Sequence, residues 1–265
     1  AMLKAGLTLV ISPLIALMKD QVDDLRLKGI EAAYLNSSQH PDEYNRIFNS
    51  IGSGTLKLLY IAPERLMSMQ GGLLEQLKSV KIDMVAVDEA HCISSWGHDF
   101  RPAYTKLKDL GTHFPDVPVL ALTATADQAT KRDIIKQLGL ENAALFENSF
   151  DRPEIHYAAK PRTDEKAQLL AFVAKHPSES GIVYCLSRKR TQEIAEVLQS
   201  AGYRATCYHA GLSSQERMER QEQFIRDEIN IMVATIAFGM GIDKNNVRYV
   251  VHMNLPKNIE GYYQE

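Results

Sequence analysis

The chain has few cysteines and no pattern that pairs them. Its 265 residues contain three, Cys92, Cys185 and Cys207, which lie far apart and form no C-x-x-C pair. A disulfide scaffold and a paired-cysteine metal site are therefore excluded as organising features. The cysteines predict reduced, mostly buried thiols in an intracellular protein.

A membrane-spanning or secretory segment is also missing. The most apolar stretch, residues 1–18, is interrupted by Lys4, Gly6, Ser12 and Pro13, and no small-residue cleavage pattern follows it. A membrane helix needs about 20 predominantly apolar residues, and a signal peptide needs a cleavage site. We therefore expect no membrane attachment.

An excess of charge of one sign is the third absence. The sequence has 30 Lys and Arg against 33 Asp and Glu, a formal net charge of −3. The bulk charge thus carries no signature of nucleic-acid binding, and any contact with a polyanion must come from local patches. With 45% apolar and 24% charged residues, the chain is typical of one large or two ordinary globular domains.

What is present is a regular alternation of short β-rich runs and helical patterns. Several runs are continuously apolar, as expected of strands covered on both faces, and the alternation favours parallel sheets between helices. Ser12 as N-cap, Pro13 at the first helical position and Gly29 as the stop delimit the first helix. The predicted strands are 8–11, 32–35, 56–61, 84–87, 119–122, 182–185, 205–208, 231–234 and 249–252, and the predicted helices are 13–28, 41–51, 126–138, 166–175, 188–199 and 213–226.

The alternation is interrupted once. Residues 147–166 carry two prolines and mixed charge without a helical period, which predicts two domains, 1–152 and 153–265, each of ordinary size. Two α/β domains on a short linker are expected to leave a cleft, and such clefts are favoured ligand sites.

Two adjacent carboxylates, Asp88 and Glu89, directly follow an apolar run. In open parallel sheets, ligands bind beyond the carboxyl ends of the strands. In nucleotide hydrolases an aspartate in this place holds Mg²⁺, and a neighbouring glutamate can accept the proton of the attacking water. Taken alone the pair is weak evidence, because strand ends often continue into acidic loops.

The residues after this pair make the signal specific, because the ordered motifs of the whole chain resemble the RecQ family of ATP-dependent DNA helicases. The matching segments are VISPLIALMKDQV (10–22, motif Ia), LLYIAPERL (58–66, motif Ib), VDEAH (87–91, motif II), SWGHDFRPAY (95–104, the aromatic-rich loop), LTATA (122–126, motif III), VYCLSRKR (183–190, motif IV), YHAGL (208–212), VATIAFGMGIDK (233–244, motif V) and NIEGYYQE (258–265, the start of motif VI).

The resemblance implies two RecA-like parallel-sheet lobes of the three-layer α/β/α, P-loop NTPase type. It implies ATP and Mg²⁺ as cofactors and 3′-to-5′ movement on single-stranded or branched DNA in recombination and repair. Such a protein works on the nucleoid of a bacterium or in a eukaryotic nucleus. By motif position, Asp88 would hold Mg²⁺, Glu89 would activate water, and His91 would relay the nucleotide state.

The aromatic-rich loop would couple DNA binding to hydrolysis through Trp96, His98, Phe100 and Arg101. Aromatic rings can stack on bases of any sequence, and an arginine adds a phosphate or cation–π contact. The alternative is that Trp96 and Phe100 pack into the core, which the polar, glycine-containing run disfavours.

The remaining candidate residues depend more heavily on the resemblance. Thr123 and Thr125 could bridge the lobes, or Thr125 or Asp127 could cap a helix. The nucleotide-facing candidates are Gly239, Gly241 and Asp243, and the candidates for DNA contacts are Ser12, Gln21, Arg65, Ser187, His209, Thr235 and the two threonines. Outside the motif context, most of these side chains would be interpreted as solvated or capping residues.

A metal site is not expected at His91, Cys92 and His98, because their spacing fits neither H-E-x-x-H nor paired C-x-x-C. The sequence also contains no G-x-x-x-x-G-K-[ST] phosphate loop. In the family that loop is expected before residue 1, and an arginine of motif VI after residue 265. We therefore expect the chain alone to be inactive, with zinc bound only in a more C-terminal part.

Two other functions remain open at this point. An RNA-directed helicase of the wider DEAD/DEAH group would share most motifs, although the aromatic-rich loop argues against it. A non-enzymatic DNA-binding remnant would also share them, although the intact Asp88–Glu89 pair argues against that.

Overall fold

The structure is a computed structural model and describes residues 1–36, 39, 41–66, 73–96, 99–149, 152–239, 242, 244–256 and 258–265. Contacts divide the chain into two compact units, Ala1–Phe146 and Glu147–Glu265, called here lobe one and lobe two. The domain boundary expected between residues 152 and 153 falls a few residues inside lobe two and stays a prediction. In the described part, no helix is long and apolar enough to cross a membrane.

Lobe one is built on one parallel sheet with the strand order β2-β3-β1-β4-β5. Its strands are β1 (Leu7–Ile11), β2 (Ala32–Leu35), β3 (Leu58–Ile61), β4 (Ile82–Val87) and β5 (Val119–Ala121). Its α-helices are α1 (Ile15–Leu27), α2 (Pro41–Gly52), α3 (Pro63–Leu66), α4 (Leu73–Lys78), α5 (Leu110–His113) and α6 (Gln128–Leu138), and 3-10 helices span Ala90–Ile93 and Pro102–Asp109.

Both faces of this sheet are covered. Leu9 and Leu59 belong to the large core cluster, whereas Tyr60, one residue further along β3, packs with Met18 and Val22 of α1 on the opposite face. Successive side chains of a strand point to opposite faces, so continuously apolar strands need cover on both sides. The prediction of a three-layer arrangement is confirmed for this lobe.

The start of α1 corrects one prediction. The helix begins at Ile15, and its N-cap is Leu14, which makes no side-chain cap. Ser12 instead continues the ladder of β1, since its backbone N–H donates to Ile61 O at 3.2 Å. The predicted stop is correct, because Gly29 has the left-handed φ of 74° that favours glycine.

Lobe two repeats the architecture with the parallel strand order β7-β8-β6-β9. Its strands are β6 (Ser180–Tyr184), β7 (Ala205–Tyr208), β8 (Ile231–Ala234) and β9 (Val247–His252), and its helices are α7 (Glu165–Val173), α8 (Arg188–Ser200), α9 (Ser214–Ile225) and α10 (Ile259–Gln264). Val183 and Val233 belong to one core cluster, and their neighbours Ile182 and Met232 belong to another. Both faces of this sheet are therefore buried as well.

Candidate active site

Asp88 is the first residue after β4, at the carboxyl end of the lobe-one sheet. Its backbone N–H donates to Ile11 O at 2.9 Å, which extends the ladder between β4 and β1. Its carboxylate accepts from Ser12 Oγ at 3.3 Å and from the N–H of Glu89 at 3.0 Å. Tyr104 donates its hydroxyl to Asp88 O at 2.9 Å. The backbone of Asp88 is thus held by the end of β1 and by the buried Tyr104 hydroxyl, and its carboxylate is held by Ser12.

Glu89 bends the chain sharply out of the strand. It has φ 47° and ψ 46°, the left-handed conformation, at the start of the 3-10 helix Ala90–Ile93. Such a conformation costs a non-glycine residue about 1–3 kcal/mol, so it persists only where the surroundings enforce it. Here the N–H of Ala90 donates to Leu122 O at 2.8 Å and ties the bend to the chain just after β5.

The electrostatic surroundings of Glu89 favour its neutral form. Its side chain is 18% exposed, and burial, followed by the charges of Asp88 and Asp99, raises its pKa to about 7, while Arg101 opposes the shift. In the described part of the chain, Glu89 Oε2 accepts no hydrogen bond of good geometry. A carboxylate whose pKa lies near neutrality is suited to accept a proton from water.

His91 connects this bend to motif III. The residue is fully buried, and its Nδ1 lies 2.9 Å from Thr123 Oγ1 and 3.3 Å from Glu89 Oε2. Thr123 Oγ1 donates to Thr125 O at 3.1 Å, so the threonine oxygen accepts and Nδ1 carries the ring proton. The predicted relay residue is therefore in contact with both the glutamate and the predicted threonine.

The aromatic-rich loop is held in place by Arg101, while its aromatic rings are exposed. Arg101 donates to Pro13 O at 3.0 Å and pairs with Asp99 through Nε and Nη2, at 3.0 and 2.9 Å. Trp96 is 76% exposed and Phe100 is 43% exposed, so neither ring is a core residue. His98, the other candidate of this loop, lies outside the described residues.

The other lobe-one candidates occupy different environments. Ser12 is fully buried, and its hydroxyl faces the Asp88 carboxylate, while its DNA contact stays a prediction. Thr125 is buried, and Asp127, not Thr125, caps α6 by accepting from the N–H of Thr130 at 2.7 Å. Arg65 stacks its guanidinium over Tyr44, 5.1 Å from the ring centroid. Gln21 is half-buried on α1.

The lobe-two candidates cluster at the carboxyl ends of their own strands. Ser187 caps α8 by accepting from the N–H of Arg190 at 3.2 Å. His209 is only 4% exposed, and its Nδ1 accepts or donates no hydrogen bond among the described residues. The backbone N–H of Thr235 donates to Tyr208 O at 3.1 Å, which continues the ladder of β8.

Gly239 of motif V is required by its surroundings. It has φ 137°, and a Cβ added there would lie 2.5 Å from the Tyr184 hydroxyl, which itself donates to Phe238 O at 2.8 Å. Only glycine combines this φ with this close approach. Gly241 and Asp243 lie outside the described residues, so their predicted nucleotide contacts stay predictions.

Two residues of this site had not been identified from the sequence. Asp99 raises the pKa of Glu89 and anchors Arg101, and Tyr104 holds the backbone of Asp88. Both lie inside the recognised loop, so the motif contained them, but no local pattern assigned them a partner.

Two family models match the chain. Residues 2–134, half of the chain, match the DEAD/DEAH box helicase family, and residues 164–265 match the helicase conserved C-terminal domain.

Curated relatives match nearly the whole chain. The ATP-dependent DNA helicase RecQ of Pasteurella multocida is 53% identical over 260 residues, which cover 98% of this chain and 41% of that protein. The protein of the same name from Bacillus subtilis is 45% identical over 266 residues, covering 100% and 45%. The RecQ-like DNA helicase BLM of Xenopus laevis is 43% identical, covering 98% and 20%. The chain thus spans less than half the length of these relatives.

Solved structures share the fold. The helicase MrfA bound to DNA and AMPPNP matches with a TM-score of 0.74 at 17% identity, covering 98% of this chain and 39% of that one. Dbp5 of Saccharomyces cerevisiae, bound to RNA and ADP BeF3, matches with a TM-score of 0.68 at 16% identity, covering 98% and 67%. At these identities the likeness supports the two RecA-like lobes alone.

Proposed function

The chain belongs to the DEAD/DEAH-box helicases and, within them, to the RecQ family, and on that premise we propose that it forms the central part of the motor of an ATP-dependent DNA helicase. The proposed protein moves 3′ to 5′ on single-stranded DNA, unwinds duplexes in recombination and repair, and works on the bacterial nucleoid or in a eukaryotic nucleus. Its partners are ATP and single-stranded or branched DNA.

The observation that carries this proposal is the pair of carboxylates at the end of β4. Asp88 is held by Ser12 and by the end of β1, while the pKa of the neighbouring Glu89 is raised to about 7. The proposal gives the two carboxylates separate roles, Asp88 as the metal ligand and Glu89, with its raised pKa, as the proton acceptor.

Asp88 fits the requirements of a Mg²⁺ ligand. Mg²⁺ prefers oxygen donors, keeps several waters and binds nucleotide hydrolases through one or two carboxylates plus phosphate oxygens. The Asp88 carboxylate is half-buried and has the Ser12 hydroxyl 3.3 Å away. When bound there, Mg²⁺ would neutralise charge developing on the transferred phosphoryl group.

Glu89 then orients the attacking water and accepts its proton. His91 Nδ1 lies between Glu89 Oε2 and Thr123 Oγ1. A movement of Thr123 would therefore shift the imidazole and, with it, the Glu89 carboxylate. The aromatic-rich loop begins immediately after this 3-10 helix, which itself begins next to Glu89. A DNA base stacked on Trp96 would therefore shift the loop backbone and, through the short helix, the position of Glu89. We propose this connection as the route by which DNA stimulates hydrolysis.

The test uses the full-length protein and two choices of nucleic acid. We expect ATP hydrolysis to be stimulated by single-stranded DNA and much less by RNA of the same sequence. We also expect displacement of a strand from duplexes with a 3′ tail, but not from those with a 5′ tail. Equal stimulation by RNA would assign the protein to the RNA-directed helicases, and absence of any ATP hydrolysis would support a DNA-binding remnant.

A further inference from the structure

Behind the carboxylate pair lies a second group of potential metal ligands. His91, Cys92 and Asp99 each offer one donor atom, and the three atoms lie within 4.8 Å of one another. Cys92 Sγ is 3.8 Å from His91 Nε2 and 3.8 Å from Asp99 Oδ2. The backbone creates the group, because the N–H of Arg101 donates to Cys92 O at 2.9 Å and folds the loop back on itself.

We propose that His91, Cys92 and Asp99 form a binding site for one thiophilic divalent cation of the Zn²⁺ class, separate from the Mg²⁺ ligand Asp88. Imidazole, thiolate and carboxylate are the donors of zinc sites, and thiolate discriminates strongly against Mg²⁺. A water entering from the Asp99 side, where that side chain is 30% exposed, would complete four-coordination.

The distances are close to those of a tetrahedral site. Donors at ordinary zinc bond lengths of about 2.0–2.3 Å lie about 3.4–3.6 Å apart around a tetrahedral ion. The two separations of 3.8 Å to Cys92 Sγ therefore need to shorten by only a few tenths of an ångström. The larger adjustment falls on Asp99, the most exposed of the three side chains.

The supporting hydrogen bonds of a metal site are already present. Metal-binding histidines usually donate their other ring N–H to an oxygen, and metal-binding carboxylates are themselves hydrogen-bonded. His91 Nδ1 faces Thr123 Oγ1 and Glu89 Oε2, which leaves Nε2 on the side of Cys92. Arg101 donates twice to Asp99 Oδ2, so a cation bound to that oxygen would displace one arginine N–H, and Oδ1 offers the lone pairs that these two bonds leave over.

Binding requires the loss of one proton. Burial, and then the charge of Asp99, raises the pKa of Cys92 to about 12, so the side chain is a neutral thiol when no cation is bound. The cation replaces the thiol proton, which passes to solvent, and no oxidation or reduction takes place. The carboxylate of Asp99 adds negative charge around the ion, and Arg101 subtracts from it.

Motif spacing did not predict this group. The spacing argument considered His98, which lies outside the described residues, and it required a known ligand pattern along the sequence. Asp99 instead joins His91 and Cys92 because the loop returns to them in three dimensions. The expectation of no metal at His91, Cys92 and His98 concerns a different set of donors and stays untested.

One consequence rests on the proposed function. A cation on His91 Nε2 would immobilise the ring beside Glu89, and we therefore expect Zn²⁺ to slow ATP hydrolysis by the full-length protein. Mg²⁺ in large excess should not relieve the inhibition, because it competes poorly for the thiolate.

The binding test does not depend on that activity. Co²⁺ is added to the full-length protein and to the 265-residue chain, and the sulfur-to-cobalt charge-transfer absorption is recorded in the near ultraviolet. We expect Cys92→Ala to remove one Co²⁺ equivalent of this absorption and Cys185→Ala to retain it. Cys185 is a matched control, since it is also buried and burial also raises its pKa to about 12, but it belongs to no potential metal group within the described residues.

Asp99→Asn provides a second variant that leaves the buried core unchanged. We expect it to weaken Co²⁺ binding by about tenfold or more, the loss usual for disturbed metal ligation. Absence of Cys92-dependent absorption in the wild-type protein would overturn the proposal, and so would unchanged affinity in Asp99→Asn. If Co²⁺ binds as expected but the protein hydrolyses no ATP, the metal site stands and the proposed function fails.

Discussion

The two lobes differ in the titratable groups that follow the carboxyl ends of their strands. In both lobes the residue after an inner strand, β4 or β6, continues the ladder: the N–H of Asp88 donates to Ile11 O at 2.9 Å, and the N–H of Cys185 donates to Ala234 O at 2.8 Å. Beyond that point lobe one places carboxylates. Lobe two places Arg188 and Arg220 beside His209, the residue that follows β7, together with Glu216, which pairs with Arg220.

The pKa values of the titratable groups at the two sheet ends are shifted in opposite directions. Burial and the charge of Asp88 raise the pKa of Glu89, whereas burial and the charges of Arg188 and Arg220 lower the pKa of His209. Each group is thus shifted towards its neutral form by burial and, after it, by like-signed neighbours. The same kind of sheet therefore ends beside an acidic titratable group in lobe one and beside a basic one in lobe two.

The largest effect is expected when the proton acceptor of lobe one is removed. Glu89→Gln keeps the shape of the side chain but cannot accept a proton, so DNA-stimulated phosphate release by the full-length protein should fall about 10²–10⁴-fold. DNA affinity should change little, because the cationic end of lobe two is intact. Glu75→Gln on the surface of α4 is the matched control, and hydrolysis near the wild-type rate in Glu89→Gln would exclude Glu89 as the base.

The next effect tests whether lobe one also contacts DNA. Trp96→Ala or Phe100→Ala should weaken single-stranded DNA binding by about 1–3 kcal/mol, the worth of one stacked base, while basal ATP hydrolysis is retained and its stimulation by DNA falls. Both rings are exposed, so their removal leaves no core cavity. Trp96→Phe retains an aromatic face and should largely restore stimulation. Unchanged DNA-stimulated turnover in both alanine variants would refute the coupling role.

A smaller effect is expected at the cationic end of lobe two. Arg188 is exposed, and its guanidinium lies beside Gly211 and His209. If it contacts a DNA phosphate, Arg188→Ala should weaken binding equally for all sequences and reduce the slope of log affinity against log salt by about 0.7. Lys189→Ala, with its side chain 87% exposed and paired with Glu193, serves as the comparison. An unchanged salt slope in Arg188→Ala would show that Arg188 contacts no DNA phosphate.

The smallest effect concerns the stability of lobe two in acid. The pKa of His209 is lowered below its usual value near 6.5, so the unfolded chain binds the proton more readily than the folded one. Stability should therefore fall as the pH drops below about 6.5. Urea unfolding at neutral and acidic pH should show a weaker dependence in His209→Gln. Arg188→Ala should reduce the dependence in part, and an equal dependence in all three proteins would contradict the assignment.

Much of the fold follows from local pattern. The continuous apolar runs of β1, β6 and β8 predicted strands covered on both faces, and each strand is covered as expected. The motifs placed Asp88, Glu89, His91 and Trp96 in one neighbourhood, because they are adjacent in sequence. Local pattern does not fix where a helix begins. Ser12 carries the signature of an N-cap, yet the ladder of β1 continues through it, and α1 starts at Ile15.

What only the tertiary structure decided are the contacts between residues distant in sequence. Ser12 reaches Asp88 across 76 residues, and Arg101 reaches Pro13 across 88. The sequence by itself determined the alternation of strands and helices and the residue types at the strand ends, because side-chain periodicity and turn chemistry act over a few residues. The partners of those residues, and with them the pKa of Glu89, depend on strand order and on the path of the loop back to Asp99. Strand order is set by packing over the whole lobe, so no short stretch of sequence encodes it.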